Sequence, residues 1–215
     1  MRRPFLLLIL LFFLVSCKNC SRDTAGKEPQ AEEAEEQPEE QQLLQASFPR
    51  FLGFLAAQDP SFSAGRFALS EGGVIDSPPS MPLNEDQLRP FAPYLVYSPD
   101  SSKAVDLYSY NYVLVQQEGK QTLAAGNPDT EAALVDFKAG SRKRLLFSGP
   151  SVIYSDARWV NGNELLLAGA EEINAEQVVP KVWKLDLASN SLDVYAYPDT
   201  ITAHMDQYLQ QKFSK

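Results

Sequence analysis

Two stretches of this chain align with each other without a gap. Val135-Asp136-Phe137 through Phe147 matches Leu185-Asp186-Leu187 through Tyr197 at an offset of 50 residues, aspartate on aspartate and aromatic on aromatic. Upstream, Tyr97-Ser98-Pro99-Asp100 pairs with Trp159-Val160-Asn161-Gly162 at an offset of 62, so the first unit carries 12 extra residues. A repeat of this kind is one supersecondary unit used twice, because a single unit cannot bury its own apolar face. The repeat units are 94–148 and 152–197.

Within the units, β-branched and aromatic residues alternate with turn residues at short intervals, the texture of antiparallel strands. Strands are expected at 94–97, 103–109, 112–117, 120–125, 132–137, 142–147, 152–160, 163–169, 180–187 and 191–197. Asn161-Gly162 reads as a two-residue hairpin turn with positive φ, and Gly119, Gly140 and Ser189-Asn190 mark three further turns. The hairpin at 112–125 accounts for the extra length of the first unit.

Ser98-Pro99-Asp100-Ser101-Ser102-Lys103 resembles the S-P-D-G-x-K turn of WD40-like, TolB-type β-propeller repeats, with Ser101 where that repeat has glycine. The resemblance covers roughly residues 94–197 and implies blade-like sheets. Two blades cannot close a ring that takes about four to eight. The expected fold is therefore mainly β: two blade-like antiparallel sheets, an incomplete propeller or a sandwich, with short N-terminal and C-terminal helices.

Those helices have their own signals. Apolar residues at 44, 48, 51, 52 and 55 fall on one helical face, with Pro49 interrupting near the start. From Asp59 to Pro93 the chain is rich in Ser, Gly and Pro and reads mostly as loop, with a short helix capped by Asn84. Ile201, Met205, Tyr208, Leu209 and Lys212 sit at helical spacing near the C-terminus.

Ahead of the domain, residues 1–16 read as a signal peptide. Arg2 and Arg3 precede eleven unbroken apolar residues, Phe5 to Val15, too few to span a bilayer, which takes about 20. Leu14-Val15-Ser16-Cys17 resembles the lipobox of bacterial lipoprotein signal peptides. That resemblance implies cleavage before Cys17 and lipid attachment at Cys17 by diacylglyceryl and fatty-acyl chains such as palmitate, an anchor far stronger than one chain gives. The localisation expected is the cell envelope, lipid-anchored to a membrane. Cys20 is then a lone thiol, since lipidation uses its only possible partner. Residues 17–42 read as an acidic tether: between 18 and 45 lie eight acids against three bases and almost no large apolar residue before Leu43. Residues 43–215 form a single β-rich globular domain.

The chain's formal charge of −9 argues against nucleic acid as a partner. One histidine, His204, falls beside the last apolar stripe, and no Gly-x-Ser-x-Gly elbow accompanies it. No metal or cofactor is expected, because soft and imidazole ligands are too few and no phosphate-binding glycine loop is present. Asp106, Asp136 and Asp186 stand inside expected strands, where a carboxylate needs a partner; accepting backbone or Ser/Thr hydrogen bonds is the reading set beside catalysis. Arg142-Lys143-Arg144 is a basic cluster on a strand, read as an exposed or protected edge, with anion docking as the functional alternative. Tyr108, Tyr110 and Tyr112 fall on one side of an extended segment and could stack on glycan or peptide, or simply pack in the sheet.

These observations lead to a lipid-anchored envelope protein that binds or scaffolds without catalysis, its partner an envelope protein or glycan. The alternatives are a glycan hydrolase using paired carboxylates and an inhibitor or immunity-type lipoprotein.

Overall fold

The two aligned units fold into matching four-stranded antiparallel meanders. The computed structural model describes residues 39–117 and 119–213; Cys17, Cys20 and the acidic run before Glu39 lie outside the described residues. The first meander contains β3 (Val96–Tyr97), β4 (Lys103–Asp106), β7 (Thr130–Asp136) and β8 (Ser141–Ser148). The second contains β9 (Val152–Trp159), β10 (Glu164–Glu172), β11 (Gln177–Asp186) and β12 (Ser191–Ala196). Between β4 and β7 stands a separate two-stranded hairpin, β5 (Tyr112–Gln117) and β6 (Lys120–Ala125), which supplies the extra residues of the first unit.

Each meander gains an outer strand from the stretch before it. β1 (Ala68–Val74) pairs with β12, and β2 (Met81–Pro82) pairs with β8. The resulting order is β1-β12-β11-β10-β9 in one sheet, with β13 (Ile201–Thr202) also on β11, and β2-β8-β7-β4-β3 in the other. Neither sheet closes on itself. The Ser/Gly/Pro stretch is thus partly strand. Every residue of β1 is exposed, so its sequence lacks an apolar alternation; the ladder along β12 forms it, and it caps an edge that would otherwise be open.

The sheets share one core. β10 is buried on both faces, which explains its run Leu165-Leu166-Leu167-Ala168, each fully buried. Trp159 Nε1 donates to Val96 O at 2.9 Å and Thr130 Oγ1 to Val152 O at 2.8 Å, tying the first sheet to β9. Helices α1 (Glu39–Ser47) and α2 (Pro49–Gln58) are split at Pro49, which occupies the first turn of α2. Glu39 and Glu40, members of the acidic run, stand in the first turn of α1, where Lys184 pairs with Glu40 at 2.9 Å. A short helix α3 (Glu85–Leu88) is capped by the Asn84 side chain, which accepts from the Gln87 N–H. The C-terminal helix α4 (Met205–Phe213) buries Met205, Tyr208 and Leu209.

The repeated turns explain the repeated acids. Asp136 accepts from the Ala139 N–H and Asp186 from the Ala188 and Ser189 N–H groups, so each closes the turn after its strand. Ser101 has φ 55°, Asn190 φ 59°, Gly119 φ 79° and Gly140 φ 60°. Ser101 therefore takes the left-handed conformation at the position where the blade repeat has glycine. Asn161-Gly162 differs from the expected two-residue turn. β9 stops at Trp159 and β10 starts at Glu164, and Asn161 Oδ1 caps the wider loop by accepting from the Asn163 and Glu164 N–H groups.

Candidate functional site

A bulge in the second sheet begins the construction of the site. Ala168 pairs with Asp156 but Gly169 pairs with Tyr154, leaving Ser155 as the extra residue on β9. Gly169 permits this, because a Cβ there would lie 1.8 Å from Ile153 O. Turned out of the ladder, the buried Ser155 carbonyl accepts from Tyr108 Oη at 2.6 Å and from Lys212 Nζ at 2.7 Å. Lys212 also pairs with Asp156, whose second oxygen accepts from the Tyr208 hydroxyl. Burial lowers the Lys212 pKa, and the neighbouring Asp156 charge opposes that shift. Arg50 Nη2 donates to Gln211 O at the other side of the helix end. Together these contacts fix the last turns of α4 against β9.

Fixed there, α4 forms one wall of a cleft of about 620 Å³. Asp206, Leu209, Gln210 and Phe213 come from α4; Thr122, Leu123, Ala124 and Ala125 come from β6 opposite. Tyr112, Ile153 and Glu172 complete the lining. Phe213 and Tyr112 close the base by edge-on contacts with Tyr108, at 5.1 and 5.7 Å between ring centres. The size and mixed lining are those of a ligand-binding site.

Two carboxylates, half-buried Glu172 and exposed Asp206, line this space and are close enough to repel each other. Burial first, and then the charge of Asp206, raise the Glu172 pKa. Burial and the Glu172 charge push the Tyr112 hydroxyl up to about 12. Among the described residues neither Glu172 nor Asp206 has an ion-pair or side-chain hydrogen-bond partner. A partly desolvated, unpaired acid such as half-buried Glu172 is costly unless something neutralises it, whereas Asp206 is exposed to water.

Apart from Tyr112, the residues singled out by sequence fall elsewhere. Asp106 is buried at 1% exposure, accepts from the Tyr108 and Ser109 N–H groups and pairs with Arg142 at 2.9 Å. Arg142 and Arg144 both grip Glu131, itself 2% exposed, so two of the three basic residues of the cluster are neutralised within the fold. Asp106 and Glu131 outweigh the effect of burial and raise the Arg142 pKa. The tyrosine stripe breaks up because 107–111 is a turn: Tyr108 is buried, Tyr110 packs on Phe147, and Tyr112 alone reaches the cleft. Asp136 lines a separate groove with Asp100, Lys103 and Lys138 at the turn end of both units. His204 contributes its carbonyl to the start of α4, accepting from the Gln207 N–H. A further apolar groove of about 230 Å³ lies beside Tyr97 and Phe137, whose exposed rings stack 5.9 Å apart. Among the described residues no group of acids, histidines or cysteines is arranged to hold a metal.

The sequence reading missed Glu172 and Asp206. Glu172 ends the apolar run of β10 and Asp206 opens α4, 34 residues apart in the chain, and only the docking of α4 on β9 joins them. No family model, no curated protein and no solved structure matches this chain.

Proposed function

We propose that this is a lipid-anchored envelope protein whose β-rich domain binds a partner, without catalysis, in the cleft between β6 and α4. The observation that carries the reading is the cleft itself: about 620 Å³, apolar at its base, with two carboxylates that have no ion-pair or side-chain hydrogen-bond partner among the described residues. The anchor rests on the lipobox resemblance at Leu14-Val15-Ser16-Cys17. Two tests go together. Cys17→Ser should move the protein from the membrane to the soluble fraction and block incorporation of labelled palmitate; unchanged fractionation removes the anchor. Glu172→Gln with Asp206→Asn should weaken retention of the protein on its envelope partner, and unchanged retention removes the cleft.

One observation favours a hydrolase as the second reading. A raised carboxyl opposite a second acid is the arrangement that glycosidases use for a general acid and its partner. Release of reducing ends from envelope glycan by the wild-type protein, abolished by Glu172→Gln, would select it.

A further inference from the structure

Building on the cleft reading above, we propose that its occupant is an extended polypeptide segment that pairs with the free edge of β6 and places a lysine or arginine between Glu172 and Asp206.

Register decides which backbone groups of β6 face away from β5. Gly126 N–H donates to Asn111 O at 2.9 Å, which makes 111 and 126 a hydrogen-bonded pair. Such pairs alternate with non-bonded pairs in an antiparallel ladder. Along the register from Tyr112↔Ala125 to Gln117↔Lys120, Ala124 and Thr122 therefore direct their backbone groups to β5. The N–H and C=O groups of Leu123 and Ala125 point the other way. Among the described residues no strand other than β5 pairs with β6.

The cleft runs along that edge. Successive side chains of a strand point to opposite faces, so a cavity lined by Thr122, Leu123, Ala124 and Ala125 in a row borders the edge and both faces beside it. Four residues span about 13 Å, enough for a segment of comparable length to lie alongside. Strand addition of this kind takes affinity from main-chain hydrogen bonds and specificity from pockets for alternate side chains. Here the cleft's lining offers both apolar contact, from Leu209 and Phe213, and the carboxylates of Glu172 and Asp206. A basic side chain supplies the positive partner that half-buried Glu172 lacks among the described residues, with Asp206 beside it at the exposed rim; a neutral sugar would leave Glu172 without one.

The test uses the full chain in detergent and fluorescence anisotropy of an end-blocked, labelled pentapeptide, Val-Thr-Lys-Thr-Val. Three comparisons accompany it: the same peptide with norleucine for lysine, the same peptide with N-methylated backbone amides, and chitotetraose as competitor. The lysine peptide should bind saturably. Affinity should fall roughly ten-fold or more with norleucine, and likewise in the Glu172→Gln, Asp206→Asn protein. N-methylation should abolish binding, and so should Ala125→Pro, which deletes an outward N–H while leaving the β5 ladder its donors. The N-methyl peptide keeps the test decisive should Ala125→Pro fail to fold. Absence of saturable binding up to ~1 mM peptide, a range that still detects weak complexes, or binding indifferent to N-methylation, overturns the proposal. Should chitotetraose bind instead, with loss in the double acid variant, the cleft stands and the polypeptide falls. Should neither probe bind, and the acid variants leave partner retention unchanged, both fall.

Discussion

Gly169→Ala should uncouple α4 from the sheet and open the cleft. The added Cβ would sit 1.8 Å from Ile153 O and 2.9 Å from Ile153 C, both backbone atoms. No rotamer change relieves such a contact, so β9 must move by more than an ångström or the bulge must be lost. Overpacking of this sort costs about 1–3 kcal/mol and sometimes more. The movement also disturbs the Ser155 carbonyl, which holds Tyr108 and Lys212, at about 1 kcal/mol for each hydrogen bond. The total is about 3–5 kcal/mol, a large share of the roughly 5–15 kcal/mol that holds a domain together. At about 2–4 °C per kcal/mol for a chain of this length, Tm should fall by roughly 6–20 °C. Thermal unfolding by circular dichroism measures it, and limited proteolysis should show earlier cleavage within 205–213 than in wild type. A loss below about 1 kcal/mol would refute the argument that a glycine is required for this bulge.

Other substitutions probe separate parts of the fold. Lys212→Met keeps the aliphatic stem but strands Asp156; with both side chains 19% exposed, the cost should lie between the surface and buried extremes, about 2 kcal/mol, and a double-mutant cycle with Asp156→Asn should recover a coupling near 1 kcal/mol. Purely additive losses would show that the pair contributes nothing. Ser101→Gly should stabilise by about 0.5–1 kcal/mol, because it removes the left-handed strain of a residue at φ 55°; Gly140→Ala, at φ 60°, should destabilise by a similar amount, and equal signs in the two would contradict the reading of these turns.

In acid, Asp100, held below its ordinary value by the Ser102 N–H and by the Ser102 and Ser98 hydroxyls, and Asp186, held below by Ser189 and Ala188, contribute stability present above the ordinary aspartate value of 3.8 and lost as pH falls through their lower folded values. Tm should hold from pH 7 to 5 and drop below about 4. Glu172 carries the opposite sign: its raised pKa gives stability below its ordinary value that is lost as pH rises. Glu172→Gln should therefore raise Tm more at pH 7 than at pH 4.

The gapless offsets gave the two sheets, the inserted hairpin and the turn aspartates, because those features follow from spacing and local hydrogen bonding. Ser101, Gly140 and Asn190 were legible for the same reason. β1 was hidden because its residues face solvent and only pairing with β12 makes them a strand. Glu131 was hidden because its partners, Arg142 and Arg144, reach it from the neighbouring strand. The cleft was least legible of all. Its walls meet only after a bulge at Ser155 turns a carbonyl toward Lys212, and nothing in the local pattern around Gly169 distinguishes that glycine from one in an ordinary strand.

A partner bound as proposed occupies the space between β6 and α4. Site-resolved photo-crosslinking in the native envelope tests it, with the photoreactive residue at Thr122 or Gln210 in the cleft, or at Glu71 or Val74 on β1, the edge strand of the six-stranded sheet farthest in strand order from β9. A discrete adduct is expected from Thr122 and Gln210, lost when Glu172→Gln and Asp206→Asn are added, and none from Glu71 or Val74. Adducts arising equally from all four positions, or unaffected by the acid substitutions, would contradict it.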